Sequence, residues 1–105
     1  MKTVYVLLLA AAACAMAQKA AKDIYADKCV GCHAADGTAS TARGKKMKMK
    51  GIKEMNAKVT PDQMIKIVTD GKGADMPSYK SELKADEIKD VTMYLRDLGN
   101  NSRAT

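Results

Sequence analysis

Apolar residues along this chain recur at helical spacing, and no stretch alternates as a half-buried strand would. The last third is the clearest case. Ile88, Val91, Leu95 and Leu98 recur at i, i+3, i+7 and i+10, one stripe of a helix that Gly99 is expected to close. Its lead-in is Lys84, a poor N-cap, although Asp86 and Glu87 suit the positive end of a helix dipole. An earlier helix has stronger punctuation. Thr60 can cap, Pro61 takes the first helical position, and Gln63 completes a T-x-x-Q capping box. Met64, Ile65, Ile67 and Val68 form its apolar side, and Gly71 ends it. "QKAAKDIYADKC" predicts a first helix, with Ala21, Ile24, Tyr25 and Lys28 at helical spacing and no breaker before Gly31. "HAADGTASTARG" is rich in small and turn-forming residues and reads as a loop. "KKMKMKGIKEMNAKV" has helical propensity interrupted by Gly51, "GKGADMPSYKSELK" reads as a loop, and "NNSRAT" as a frayed tail. No internal repeat is visible, so the pattern predicts an all-α chain.

The amino terminus has a different character. "MKTVYVLLLAAAACAMAQ" sets one positive charge, Lys2, before an apolar run from Val4 to Ala13, followed by Ala15-Met16-Ala17, an A-x-A cleavage signature. The run is shorter than the roughly 20 residues a membrane span needs. Residues 1–17 are therefore expected to be a cleaved secretory signal, leaving residues 18–105, 88 of the 105, as one small domain. Cys14 would be discarded with the signal. The competing reading, lipid attachment through Cys14, lacks the usual leucine three residues upstream. The remaining domain has no Trp or Phe and only Tyr25, Tyr79 and Tyr94 as aromatics. A domain of that size and composition needs a staple beyond its own core.

A candidate staple lies in "ADKCVGCHAADG", where Cys29, Cys32 and His33, the only histidine, fall within five positions. Four readings compete. A structural zinc wants four ligands, and no second C-x-x-C or His pair exists to supply them. A redox dithiol needs a low-pKa cysteine, usually in a βαβ context, and no strand pattern precedes this one. A plain disulfide with a surface histidine suits an exported protein. In the fourth reading both thiols add across haem vinyl groups and the adjacent His33 ligates the iron. C-V-G-C-H fits this last reading without strain, and a buried haem would supply the missing apolar centre.

"IYADKCVGCH", the capped "TPDQMIKIVTDGK" helix, "DMPSY" and the closing "LKADEIKDVTMYLRDL" together resemble the class I monohaem cytochromes c of the small soluble bacterial kind. The resemblance covers essentially all of residues 18–105. It implies about four helices wrapped around one covalently attached haem c, with Cys29 and Cys32 as the thioether attachment points and His33 as an axial ligand. It also implies attachment outside the cytoplasmic membrane, hence a periplasmic protein, which agrees with the signal region. In this family an aromatic four residues before the first cysteine packs on an aromatic of the last helix, and Tyr25 and Tyr94 occupy those positions. Two departures stand out. Ala21 replaces the glycine often found where those helices cross, and "TASTARGKKMKMKG" lacks the proline whose carbonyl often accepts the axial histidine's N–H.

The other axial position needs a second donor, which no other histidine can provide. Six methionines follow the signal region: Met47, Met49, Met55, Met64, Met76 and Met93. Methionine is a common gap-filler in cores, and Met64 and Met93 lie in predicted helices, where core or haem packing is the expected role. Met76 lies in a loop, and Pro77 confines the preceding backbone to extended conformations. It follows His33 by 43 residues, enough chain to reach the opposite haem face. Met76 is the expected sixth ligand, with Met47 and Met49 as rivals. His/Met ligation raises the reduction potential and fills both axial sites, which points to electron transfer and not to an enzyme.

The full chain carries 18 Lys and Arg against 12 Asp and Glu. Eight lysines fall between Lys45 and Lys72, namely 45, 46, 48, 50, 53, 58, 66 and 72. Such a run is commonly a solvated face. Nucleic acid is a poor partner for an exported protein whose lysines lack interleaved stacking aromatics. The functional reading is a monomer with a basic surface around the haem edge that steers acidic redox partners. Lys72 and Lys80, flanking Met76, are the expected contacts. A dedicated cytochrome subunit of a larger redox enzyme is the second reading. A haem sensor or peroxidase, which would need a labile or absent sixth ligand, is the third.

Overall fold

The final helix forms the spine on which the others pack. The computed structural model describes residues 19–73 and 76–100; the expected cleavage site after Ala17 and Cys14 lie outside the described residues. Among the described residues six helices run in the order α1 (Ala21–Lys28), α2 (Val30–His33), α3 (Ala42–Lys46), α4 (Ile52–Lys58), α5 (Pro61–Asp70) and α6 (Ala85–Asn100). Extended pairing among the described residues is limited to one isolated bridge between Lys72 and Met76. The all-α expectation therefore holds, with four substantial helices and two short ones, α2 and α3. α6 packs against α1, α4 and α5. Its apolar stripe, Ile88, Val91 and Leu95, meets Ile24 and Tyr25 from α1, Ile52 from α4, and Met64 and Val68 from α5 in one core.

Local chemistry explains most boundaries. Thr60 Oγ1 accepts from Gln63 N–H at 3.1 Å while Gln63 Oε1 accepts from Thr60 N–H at 2.9 Å, closing the expected capping box of α5. The first helix breaks at Cys29 (φ −113°, ψ −29°), not at Gly31, which lies within α2. The small-residue stretch after His33 ends in a helix that composition did not announce. Thr41 caps α3 by accepting from Gly44 N–H at 3.0 Å. Gly51 interrupts the lysine-rich stretch as expected, standing at the N-cap of α4.

Gly99 does not close α6. It is buried inside the helix, and a Cβ there would lie 2.8 Å from Asn56 Nδ2 and 3.1 Å from Lys53 N. Glycine's low helix propensity is outweighed by the close approach of α4. The weak cap at Lys84 is compensated by Glu87, whose Oε1 accepts from Lys84 N–H at 2.9 Å and whose Oε2 accepts from Lys19 N–H at 3.2 Å. This carboxylate, buried at 8 % exposure, ties the lead-in of α1 to the first turn of α6.

Candidate functional site

The C-x-x-C-H residues sit where α1 turns into α2, and three features hold that corner. Tyr25 and Tyr94 pack with ring centroids 5.2 Å apart at 49°, fixing α1 across α6 as expected. Tyr25 Oη donates to the carbonyl of Ala34 at 2.5 Å, clamping the residue that follows His33 in its left-handed conformation (φ 69°). Burial pushes the Tyr25 phenol well above its ordinary pKa, so it stays a donor. The third feature is Thr41, whose hydroxyl donates towards the carbonyls of Gly31 (3.0 Å) and Cys32 (3.2 Å). Gly44 lets α3 lie against the motif, since a Cβ there would stand 2.6 Å from the Cys32 carbonyl.

Cys29, Cys32 and His33 line a cleft of about 340 Å³, and Met76 lines the same cleft. Its apolar walls come from Ile52 and Met55 of α4, Met64, Ile67 and Val68 of α5, and Leu95 of α6. The structure therefore gathers all four expected site residues around one apolar space. It also separates the rival methionines: Met49 lines the cleft and Met47 does not. Met64 is buried in the wall, whereas Met93 is 36 % exposed on α6, contrary to its expected packing role. The reason is angular, because position 93 falls between the stripe residues Val91 and Leu95, on the outer side.

The donors have the chemistry a covalent haem requires. Cys29 and Cys32 are free thiols, and burial pushes the Cys29 thiol up to about 11 despite the neighbouring Lys28. A redox dithiol needs the opposite shift. Burial also lowers the pKa of His33, which favours the neutral imidazole that ligates metals. Among the described residues no group of three His, Cys, Asp or Glu side chains could hold a metal ion, so a zinc centre lacks its ligands. Two thiols, an imidazole and a thioether around an apolar cleft fit a haem c.

Several lining residues escaped the sequence reading. Tyr79 lines the cleft and reaches the Lys28 carbonyl from Oη at 3.4 Å. Lys48 and Lys50 line it beside Met49. The M-K-M-K alternation gave no sign of this, because Lys48 (φ 57°) breaks the extended geometry and three consecutive side chains line the cleft. Of the two lysines expected near the Met76 loop, Lys72 lines the cleft; Lys80 is exposed and does not.

Comparison with known proteins agrees. Residues 16–95 match the family described as cytochrome C oxidase, cbb3-type, subunit III. The chain is 35% identical over 74 residues to cytochrome c6 of Leptolyngbya boryana, covering 70% of this chain and 84% of that protein. The c-type cytochrome KustC0563 shares the fold with a TM-score of 0.69 at 23% identity, over 76% of this chain and 98% of that one. A tyrosine-to-phenylalanine mutant of that cytochrome gives a TM-score of 0.68 at 22% identity, over 76% and 99%. Kinship over most of its length makes this chain a member of the small monohaem class I cytochromes c, electron-transfer proteins that carry a covalently attached haem c.

Proposed function

We propose that this chain is an exported single-electron carrier whose haem is held by Cys29 and Cys32 and ligated by His33 and Met76. The observation that carries this reading is the convergence of all four side chains, from segments 43 residues apart, on one apolar cleft. When bound, the haem supplies one reversible electron at its iron. Each thiol contributes S–H across a vinyl group, so the attachment consumes no oxidant. His33, half-buried and with its pKa lowered by that burial, would offer a neutral ring nitrogen to the iron. Met76 would offer its thioether, a soft donor that favours reduced iron. The aliphatic side chains of α4, α5 and α6 exclude water, and with His33 and Met76 both given to the iron no position would remain for a substrate.

Residues 1–17 act as the signal that takes the chain to the periplasm, and 18–105 form the haem domain. Exposed Lys48 and Lys72 line the cleft, and neither is in an ion pair with another described residue. They supply positive charge where an acidic redox partner would approach a monomeric carrier. No helix among the described residues is long and apolar enough to cross a membrane. The match to an oxidase-subunit family favours a second reading, a cytochrome held within a larger redox enzyme. Gel filtration of native extract distinguishes them, since a shuttle elutes near its own mass.

Met76→Ala tests the ligand set. The oxidised holoprotein should lose its weak long-wavelength iron–sulfur charge-transfer band. Its potential should fall by on the order of 0.1 V, within the roughly 0.8 V that axial ligands span, and reduced iron should bind CO. Met49→Ala should leave all three nearly unchanged. Loss of the band in Met49→Ala but not in Met76→Ala would reverse the assignment.

A further inference from the structure

The loop that carries Met76 serves as the C-terminal cap of α5. A helix leaves its last four carbonyls without partners in the helix. In α5 three of them are met in succession: Ile67 by the N–H of Gly71 (2.7 Å), Val68 by the N–H of Tyr79 (3.1 Å) and Thr69 by the hydroxyl of Ser78 (2.6 Å). The chain doubles back to do this, with Lys72 N–H donating to the Met76 carbonyl at 2.9 Å. Gly71 (φ 83°) makes the approach possible, because a Cβ there would stand 2.8 Å from Ser78 N and 2.9 Å from Met76 O.

We propose that Ser78 is a positioning residue for the sixth iron ligand, its hydroxyl holding Met76 in place through the Thr69 carbonyl. The proposal rests on Met76 being that ligand. Pro77 fixes its own φ and restricts Met76 to extended backbone, so positions 76 to 78 move as a stiff unit. Methionine's own side chain has three rotatable bonds and cannot hold itself. Ser78 is half-buried, and its one hydroxyl proton is committed to Thr69 while its oxygen accepts from Lys80 N–H at 3.5 Å. The tether matters most in the oxidised state, which a thioether favours less than the reduced one.

The test titrates oxidised holoprotein with imidazole and follows the iron–sulfur charge-transfer band. Ser78→Ala should let imidazole displace the thioether about fivefold more readily, the equivalent of one net hydrogen bond. Ser78→Thr should restore wild-type displacement. Ser78→Val, which matches the bulk of Thr without its hydroxyl, should not, and it keeps the comparison if Ala folds poorly. Thr60→Ala, at the far end of α5, should lower the denaturation midpoint by loss of the N-cap yet leave displacement unchanged. Equal displacement in wild type, Ser78→Ala and Ser78→Val overturns the proposal. So does Thr60→Ala behaving like Ser78→Ala, which would mean that loosening α5 anywhere suffices. A band that survives Met76→Ala overturns the ligation reading itself, and the proposal with it.

Discussion

The two sides of the cleft are built on different principles. On the His33 side, two thiols and an imidazole come from five consecutive positions, and the corner they occupy is clamped by a buried tyrosine hydroxyl. The Met76 side is one thioether on a loop hung from the end of α5 by three hydrogen bonds. The first is local in sequence and fastened by side chains deep in the core. The second depends on where α5 ends, and its ion pair to the rest of the fold, Lys28 Nζ to Glu82 Oε1 at 3.2 Å, is largely exposed on the Glu82 side. On the proposed ligation, one side would fix the cofactor permanently, and the other could be released without losing it.

Removing both thiols breaks the comparison outright and should have the largest effect. Cys29→Ala with Cys32→Ala should leave no pigment on the polypeptide after denaturing electrophoresis. The apoprotein should also lose most of its helical circular dichroism, because a domain this small cannot spare its apolar centre. Retained haem stain would refute attachment at these residues.

Two tyrosines sharpen the contrast. Tyr25→Phe removes a buried hydrogen bond to the Ala34 carbonyl, which keeps the Gly37 N–H at 3.2 Å, and should cost about 1 kcal/mol in denaturant unfolding of the holoprotein. Tyr79→Phe removes a 3.4 Å contact from a half-buried ring and should cost under about 0.5 kcal/mol. Equal costs would mean that the two sides are fastened alike.

The smallest effect concerns Glu87. Its carboxyl lies below the ordinary value because the backbone N–H of Lys84, and then that of Lys19, donate to it. A depressed carboxylate contributes stability above the ordinary value of about 4.3, and the contribution is lost as pH falls through the native value. Glu87→Gln should therefore unfold at lower denaturant than wild type at pH 7, with the deficit closing in acid. A constant deficit across that range would show that the carboxylate's charge plays no part.

What could be read from the sequence was whatever is decided within one turn of chain. Thr60, Pro61 and Gln63 make a complete local circuit, so α5 was legible to the residue. The α6 stripe was legible because burial on one face demands its spacing. Gly99 was misread because only the proximity of α4, distant in the chain, explains a glycine inside a helix. Glu87 was seen as a dipole partner and not as a buried acceptor, since half its role depends on Lys19, 68 residues away. α3 was hidden because five residues cannot show a period, although Thr41 three positions before Gly44 was a usable sign. At the site, Cys29, Cys32 and His33 announced themselves by spacing. Met76 was singled out by its proline, but nothing local could show that Met49 and not Met47 shares the cleft.

Ile52 carries a constraint on how this chain can diverge. Its Cγ2 methyl would stand 2.5 Å from a Cβ at Gly37 and 3.1 Å from one at Gly99, so a single methyl is gripped between two glycines. The three positions form an epistatic set. Ile52→Leu removes that branch and eases Gly99→Ala, but a Cβ at 99 would still stand 2.8 Å from the Asn56 amide and 3.1 Å from the backbone N of Lys53. Gly37 cannot follow so freely, because its φ of 78° penalises any side chain. A change at position 52 is therefore only a first step towards a side chain at 99, where the backbone of α4 sets the remaining limit.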